Sequence, residues 1–209
     1  MNPSHIRVKM CGMTRPEDVA HAAALGVDAV GLIFYSKSAR CITLDQAKNV
    51  LKNLPLFVDA VAVLVNPEPD LVRQIIEELP IHLLQFHGDE SAAFCQQFNK
   101  PYIKAIHPVS ETQIKQAAKD YASASALLLD TPSATARGGT GLVFNWRIIP
   151  ESLAKPYILA GGLDEFNAVD ALKIGKPYAL DVCSGIEATP GIKDHEKMNR
   201  FMQRVNGGV

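Results

Sequence analysis

Residues 126–141 read ALLLDTPSATARGGTG. The apolar run Ala126–Leu129 has the length of a buried strand, and it ends in one carboxylate, Asp130. A loop of small residues follows and closes on Gly138, Gly139, Thr140 and Gly141. A strand that delivers an acid at its carboxyl end and then opens into a glycine-rich loop is a common way for a parallel α/β fold to build a catalytic site. An ordinary strand and surface loop, with Asp130 capping a turn, has the same pattern. The surroundings decide between them.

Similar runs recur at Val8–Met10, Ala29–Phe34, Ala60–Val65, Leu83–Phe86, Tyr102–Ala105, Tyr157–Ala160 and Ala179–Val182. Most of the gaps carry a helical pattern. Thr14-x-x-Glu17 and Thr43-x-x-Gln46 read as capping boxes, and Ser110-x-x-Gln113 opens a further helix. Asn66-Pro67 starts a helix with Leu71, Val72, Ile75, Ile76 and Leu79 on its apolar face. Asp164 caps another, and Met198, Phe201, Met202 and Val205 stripe the last. Strand and helix in alternation mean parallel strands with helical crossovers. The two closures are an open doubly wound sheet and a (β/α)8 barrel. The dinucleotide fingerprint is missing after the first run, where Cys11-Gly12-Met13-Thr14-Arg15 stands, and this favours the barrel. A barrel usually takes about 250 residues and can be built in about 200. With 209 residues the loops must be short, and one helix, near Asn145–Ile149, is expected to be vestigial. No linker or composition shift divides the chain, so residues 1–209 are expected to form one barrel domain.

Composition excludes several classes of partner. Hydrophobic residues are 47%, charged residues 21% and the net charge is -1, which gives no reason to expect nucleic acid or an anionic membrane. No run approaches the ~20 apolar residues of a membrane span, and the opening MNPSHIRVKM has no apolar signal region. Cys11, Cys41, Cys95 and Cys183 form no CxxC pair, so neither a zinc cluster nor a disulfide framework is expected. The expected location is the cytoplasm.

In a parallel barrel, residues just after the strands converge on one face. Those positions hold Cys11, Arg40, Asn66, His87, His107, Asp130, Gly161-Gly162 and Asp181–Gly185. Barrels often bind phosphate through backbone N–H groups in the last two strand–helix loops, where Gly161-Gly162 and Ser184-Gly185 fall. The same glycines also suit tight turns of positive φ. Cys11 reads as a small buried hydrophobe or as a thiolate, with Lys9 two residues back on the same strand face to perturb it. Arg40 is a solvated loop charge or, paired with a carboxylate, a bidentate clamp. His87 is hydrogen-bonded structure or a base.

Taken together, five segments occur in a telling order. They are Lys9-Met10-Cys11-Gly12-Met13-Thr14; Gln85-Phe86-His87-Gly88-Asp89-Glu90; Asp130 with Gly138–Gly141; Leu159-Ala160-Gly161-Gly162-Leu163; and Asp181–Glu187 with Pro190, Gly191, Lys193 and Asp194. This ordered set resembles the phosphoribosylanthranilate isomerases of tryptophan biosynthesis, from near Val8 to about Asp194. The resemblance implies a (β/α)8 barrel that performs an Amadori rearrangement of N-(5-phosphoribosyl)anthranilate without metal or cofactor. It implies Cys11 as general base, Asp130 as general acid and Arg40 as the holder of the anthranilate carboxylate. Gly161, Gly162, Asp181, Ser184 and Gly185 would form the phosphate site, with His87, Gly139 and Gly141 as further active-site residues. For Asp130 to donate a proton, burial is expected to raise its pKa toward neutrality. The chain departs from the family pattern at Ala39, Phe86 and Cys183, where Pro, Leu and Ser are frequent. The implied assembly is a monomer or a homodimer. The competing readings are another sugar-phosphate barrel enzyme and a silent barrel that only binds phosphometabolites.

Overall fold

A computed structural model of the chain describes residues 6–131 and 144–208. Eight parallel strands close into a barrel. They are β1 (Arg7–Cys11), β2 (Ala29–Ile33), β3 (Asp59–Leu64), β4 (Leu83–Phe86), β5 (Tyr102–Ile106), β6 (Ala126–Leu129), β7 (Tyr157–Leu159) and β8 (Ala179–Val182). β8 pairs back onto β1, with Lys9 opposite Asp181 and Met10 opposite Val182. That closure separates the barrel from the open sheet.

The period of two within each strand sorts side chains into two layers. Leu127 and Leu129 point out and join Met10, Leu32, Leu84, Leu159 and Leu180 in the core under the helices. Ala126 and Leu128 point in and pack with Ile103, Ala105, Ile158, Ala160 and Ala179 inside the barrel. By the same parity, Lys9, Cys11, Gln85 and Asp181 fall on the inner face.

The helices are α1 (Pro16–Ala24), α2 (Leu44–Leu51), α3 (Pro69–Glu78), α4 (Ala92–Gln96), α5 (Glu111–Asp120), α6 (Ala168–Asp170) and α7 (His195–Gly207). The box at Thr43 and Gln46 forms with both of its hydrogen bonds, and Ser91 and Ser110 cap α4 and α5. Three expected starts are displaced. At α6, Asp164 accepts from the Phe166 and Asn167 N–H groups, and the helix begins only at Ala168 with Asn167 at its N-cap. α1 begins at Pro16 with Arg15 at the N-cap and no side-chain cap, while the Thr14 hydroxyl donates to the Gly191 carbonyl. α3 begins at Pro69 rather than at Asn66-Pro67. Asn66 is left-handed (φ 45) and is held by the β4 loop, whose Asp89 N–H donates to its Oδ1 at 2.7 Å. Between Phe144 and β7 the described chain has only the 3-10 turn Trp146–Ile148, the expected vestige. α6 runs on into one π-helical segment, Ala171–Gly175, and ends on left-handed Lys176. After β8 comes a short hairpin, β9 (Glu187–Thr189) with β10 (Ile192–Lys193).

One buried carboxylate joins α1, the hairpin and α7. Asp18 is fully buried. It accepts from Arg15 at 2.9 and 2.7 Å, from the Lys193 N–H at 3.2 Å, and pairs with His195 Nε2 at 2.9 Å. Burial pushes the Asp18 carboxyl up, but Arg15 and His195 outweigh burial and hold it below the usual carboxylate range. Asp18→Asn is expected to destabilise the fold by about 3 kcal/mol, as for one partner removed from a buried ion pair. Because the folded pKa lies below the unfolded one, this stability is complete above roughly pH 4 and is lost as pH falls through the folded value. Thermal unfolding from pH 7 to acid checks both points: the variant has the lower Tm at neutral pH and the shallower loss in acid. Equal melting temperatures at pH 7 would contradict the assignment.

Candidate active site

A cleft at the carboxyl ends of the strands is lined by Cys11, Arg40, His87, Asp130, Gly161, Gly162, Asp181 and Ser184, among others. Gly139 and Gly141 lie outside the described residues. Gly185 does not line the cleft. A Cβ there would fall 2.0 Å from the Leu163 carbonyl oxygen, so its glycine is required by packing against the loop after β7.

Cys11 ends β1 and is buried. A Cβ on Gly31, the facing residue of β2, would lie 2.7 Å from Cys11 Sγ and 3.1 Å from Lys9 Nζ. The missing side chain at 31 thus makes room for sulfur and ammonium together. The Cys11 thiol is held well below its ordinary pKa. Cys183 beside it is the largest cause; burial opposes the shift, and Lys9 and Lys193 add to the lowering. Cys183 is pushed up as the partner that keeps its proton. Lys9 therefore perturbs Cys11 as its position on the strand suggested.

Asp181 was expected to help bind phosphate. Its carboxyl faces Lys9 Nζ at 2.8 Å in the barrel interior and fixes the ammonium beside Cys11. Burial and the nearby Cys11 push Asp181 up to about 7 against the pull of Lys9.

Asp130 follows β6 and is buried. Its Oδ2 pairs with His87 Nε2 at 3.0 Å and its Oδ1 accepts the Thr131 N–H at 2.8 Å. Burial does push the carboxyl up, as expected, but the hydrogen bond and charge of His87, with His107 and Thr131, outweigh it, and the net shift is downward. The expected rise is thus corrected: the histidine pressed against Asp130 favours its anion. His87 Nδ1 in turn meets Gln85 Nε2 at 2.9 Å, and Gln85 Oε1 has no hydrogen-bond partner among the described residues. The loop carrying His87 is pinned by Glu90, which accepts from the Asn66 and Gly88 N–H groups and from Lys104. The His87 and His107 rings are 5.4 Å apart. Ligand atoms of His87, His107 and Asp130 lie within 4.8 Å of one another, so this is the set able to hold a metal ion among the described residues.

Arg40 is the bidentate clamp, but on an internal partner. Nε and Nη2 donate to the two oxygens of Glu187 at 2.8 and 2.6 Å. Glu187 also accepts from Lys193 Nζ at 3.0 Å, and Arg40 and Lys193 together hold its carboxyl below the usual range despite burial. Gly161 and Gly162 have φ of 82° and 66°. At Gly161 a Cβ would meet Asp130 Oδ1 at 2.5 Å, so the bare backbone lets the β7 loop close on the acid. Of the three departures, Phe86 packs edge-on against Phe94 and Tyr102 outside the barrel, and Cys183 sits against Cys11.

Sequence reasoning did not assign Gly31, Gln85, Glu187 or Lys193 a role in the site, and placed Cys183 only as part of the Asp181–Gly185 loop. Gln85 and Cys183 carried a signal, since both share strand parity with expected site residues, Gln85 with His87 and Cys183 with Asp181. Glu187 and Lys193 carried none beyond the motif, because a hairpin folds them back over the mouth.

A family model described as PRAI, N-(5'phosphoribosyl)anthranilate (PRA) isomerase, matches residues 8–204. A Legionella pneumophila (strain Lens) protein named N-(5'-phosphoribosyl)anthranilate isomerase is 63% identical over 207 residues, covering 99% of this chain and 100% of its own length. A Pseudomonas fluorescens (strain Pf0-1) protein of the same name is 46% identical over 202 residues, covering 97% and 99%. The solved phosphoribosyl anthranilate isomerase of Thermotoga maritima superposes with a TM-score of 0.87 at 32% identity, over 97% of this chain and 100% of that one. A second solved structure, of the isomerase in complex with reduced 1-(o-carboxyphenylamino)-1-deoxyribulose 5-phosphate, has a TM-score of 0.83 at 32% identity, with the same coverage.

Proposed function

The chain belongs to the N-(5'-phosphoribosyl)anthranilate isomerase family, and from that premise we propose how its cleft carries out the Amadori rearrangement of N-(5'-phosphoribosyl)anthranilate in tryptophan biosynthesis. The observation that carries the reading is a buried cysteine sulfur beside the Lys9 ammonium and a buried, histidine-bonded carboxyl on one cleft. The His87–Asp130 pair delivers a proton to the furanose oxygen as the C1'–O bond breaks, which leaves a Schiff base. The approaching phosphate and carboxylate of the substrate raise the proton affinity of Asp130, because like charges disfavour its anion. Conjugation to the Schiff base acidifies the C2' proton, and the Cys11 thiolate removes it. The enolamine so formed becomes the aminoketose when its hydroxyl proton leaves and C1' gains one. Phosphate binds at the Gly161-Gly162 backbone and Ser184, and remote binding at both ends orients the reacting carbons. Loss of substrate fluorescence tests the activity: the protein accelerates it, and decay at the uncatalysed rate would reject the reading.

Arg40 holds the anthranilate carboxylate from the orientation that Glu187 imposes. Arg40→Ala is expected to raise KM about tenfold or more with a smaller change in kcat, the loss of a charge-assisted hydrogen bond made in ground and transition states alike. An unchanged KM would assign the aromatic acid to another residue.

The assembly in this reading is a homodimer through the amino-terminal face of the barrel. Leu56 and left-handed Phe57 stand 87% and 98% exposed there. Beside them is a hollow lined by Val61, Leu83, Ile103, Ala126 and Ile158. A protruding ring next to an apolar socket on one face is self-complementary across a two-fold axis. One relative of solved structure is described as monomers generated from the dimeric isomerase of Thermotoga maritima. Sedimentation is expected to show a dimer for the native chain and a monomer for Phe57→Glu; a native monomer at micromolar concentration would contradict this. The enzyme works in the cytoplasm, and no helix among the described residues is long and apolar enough to cross a membrane.

A further inference from the structure

We propose that Cys11 and Cys183 form an oxidative modification site, at which peroxide converts the pair to an intramolecular disulfide and reversibly silences the enzyme. β1 and β8 pair with Lys9 opposite Asp181 and Met10 opposite Val182, so the next residues of the two chains are Cys11 and Cys183. Neighbours across a parallel pair have Cα atoms about 5 Å apart, inside the span a disulfide bridges. Parity sends both side chains to the inner face, and both line the cleft. A Cβ on Gly12 would lie 3.0 Å from Cys183 Sγ, so the second sulfur reaches back over the residue that follows Cys11.

The setting also selects this pair among the four cysteines. Lys9 Nζ lies against the same Gly31 face as Cys11 Sγ, and Lys193 Nζ is 4.0 Å from Cys183 Sγ. Two ammonium groups favour a thiolate at Cys11, the nucleophilic form, and the cleft gives a small oxidant access. Cys95 is buried, and its thiol is pushed up to about 12 by burial and Glu90. Cys41 is exposed but has its pKa raised rather than lowered. A serine at 183, the frequent residue in the resembling family, would keep a hydrogen bond to Cys11 and abolish this chemistry.

The step balances with peroxide as the oxidant. The Cys11 thiolate attacks one peroxide oxygen, the O–O bond breaks, hydroxide leaves and Cys11 becomes a sulfenic acid. Cys183 sulfur then attacks Cys11 sulfur. The S–O bond breaks, water leaves with the Cys183 proton, and the S–S bond forms. Two sulfurs are oxidised and one peroxide is reduced to two waters once the hydroxide is protonated. The disulfide removes the proposed base, so this inference rests on the assignment of Cys11 for its effect on activity but not for its chemistry.

The experiment treats the full-length protein with hydrogen peroxide, traps remaining thiols, digests it and maps linked peptides, with activity read in parallel by substrate fluorescence. The expected result is a Cys11–Cys183 linked peptide that forms as activity falls, with both reversed by dithiothreitol. Cys183→Ser, referred to its own starting activity, is expected to lose activity irreversibly as Cys11 proceeds to higher oxides with no partner to trap it. Absence of the linked peptide in the native chain, or recovery of Cys183→Ser to the same extent as the native chain, would overturn the proposal. A linked peptide with full activity would overturn the silencing and would also reject Cys11 as the base.

Discussion

Asp130→Asn is expected to lower kcat by ~10²–10⁴ while the protein stays folded, the size of a lost general acid. The amide keeps the shape and can still meet His87, but it has no proton to give to the furanose oxygen. KM is expected to change little, so kcat and kcat/KM fall together, as for an interaction made only in the transition state. Steady-state kinetics by fluorescence, with Tm recorded on the same sample, check this. Near-normal turnover in folded Asp130→Asn would move the acid elsewhere, with His87 the next candidate because its Nε2 lies 3.0 Å from the same oxygen.

Cys11→Ala is expected to produce a loss of the same order, and Cys11→Ser to fail with it. A serine hydroxyl fills the space but does not ionise near neutral pH, so size alone does not rescue a lost thiolate base. The environment of Cys11 is costly to build: a buried ammonium, a buried carboxylate to hold it, and a glycine on β2 to admit both. Such a constellation is unexplained if Cys11 only fills volume. Turnover of folded Cys11→Ser within a few-fold of native would show that it does only that.

Much of this was legible in the sequence because strands announce their ends. Ala126–Leu129 is apolar on both faces, as a strand covered by helices outside and by a packed interior must be, and its boundary fell at the residue carrying the chemistry. The order of the loops then placed Cys11, Arg40, His87, Asp130 and Gly161-Gly162 around one mouth. What was not legible is pairing. Asp181 and Lys9 are 172 positions apart and meet only because β8 closes on β1. Glu187 takes Arg40 because a hairpin turns back over the barrel. The downward shift at Asp130 follows from which side chain touches it, and burial alone, the part a sequence suggests, has the opposite sign. The start of α1 failed for a related reason: the Thr14 hydroxyl meets a distant carbonyl, that of Gly191, and Arg15 takes the N-cap position.

The central claim is that sulfur and carboxyl work on opposite sides of one sugar. It is tested most directly by a crystal structure of this protein with the reduced product analogue bound. The account predicts the sugar carbons between Cys11 Sγ and the Asp130 carboxyl, with the phosphate on the Gly161-Gly162 backbone and the aromatic carboxylate at Arg40. An analogue seated in the cleft with either Cys11 or Asp130 out of reach of those carbons would contradict it.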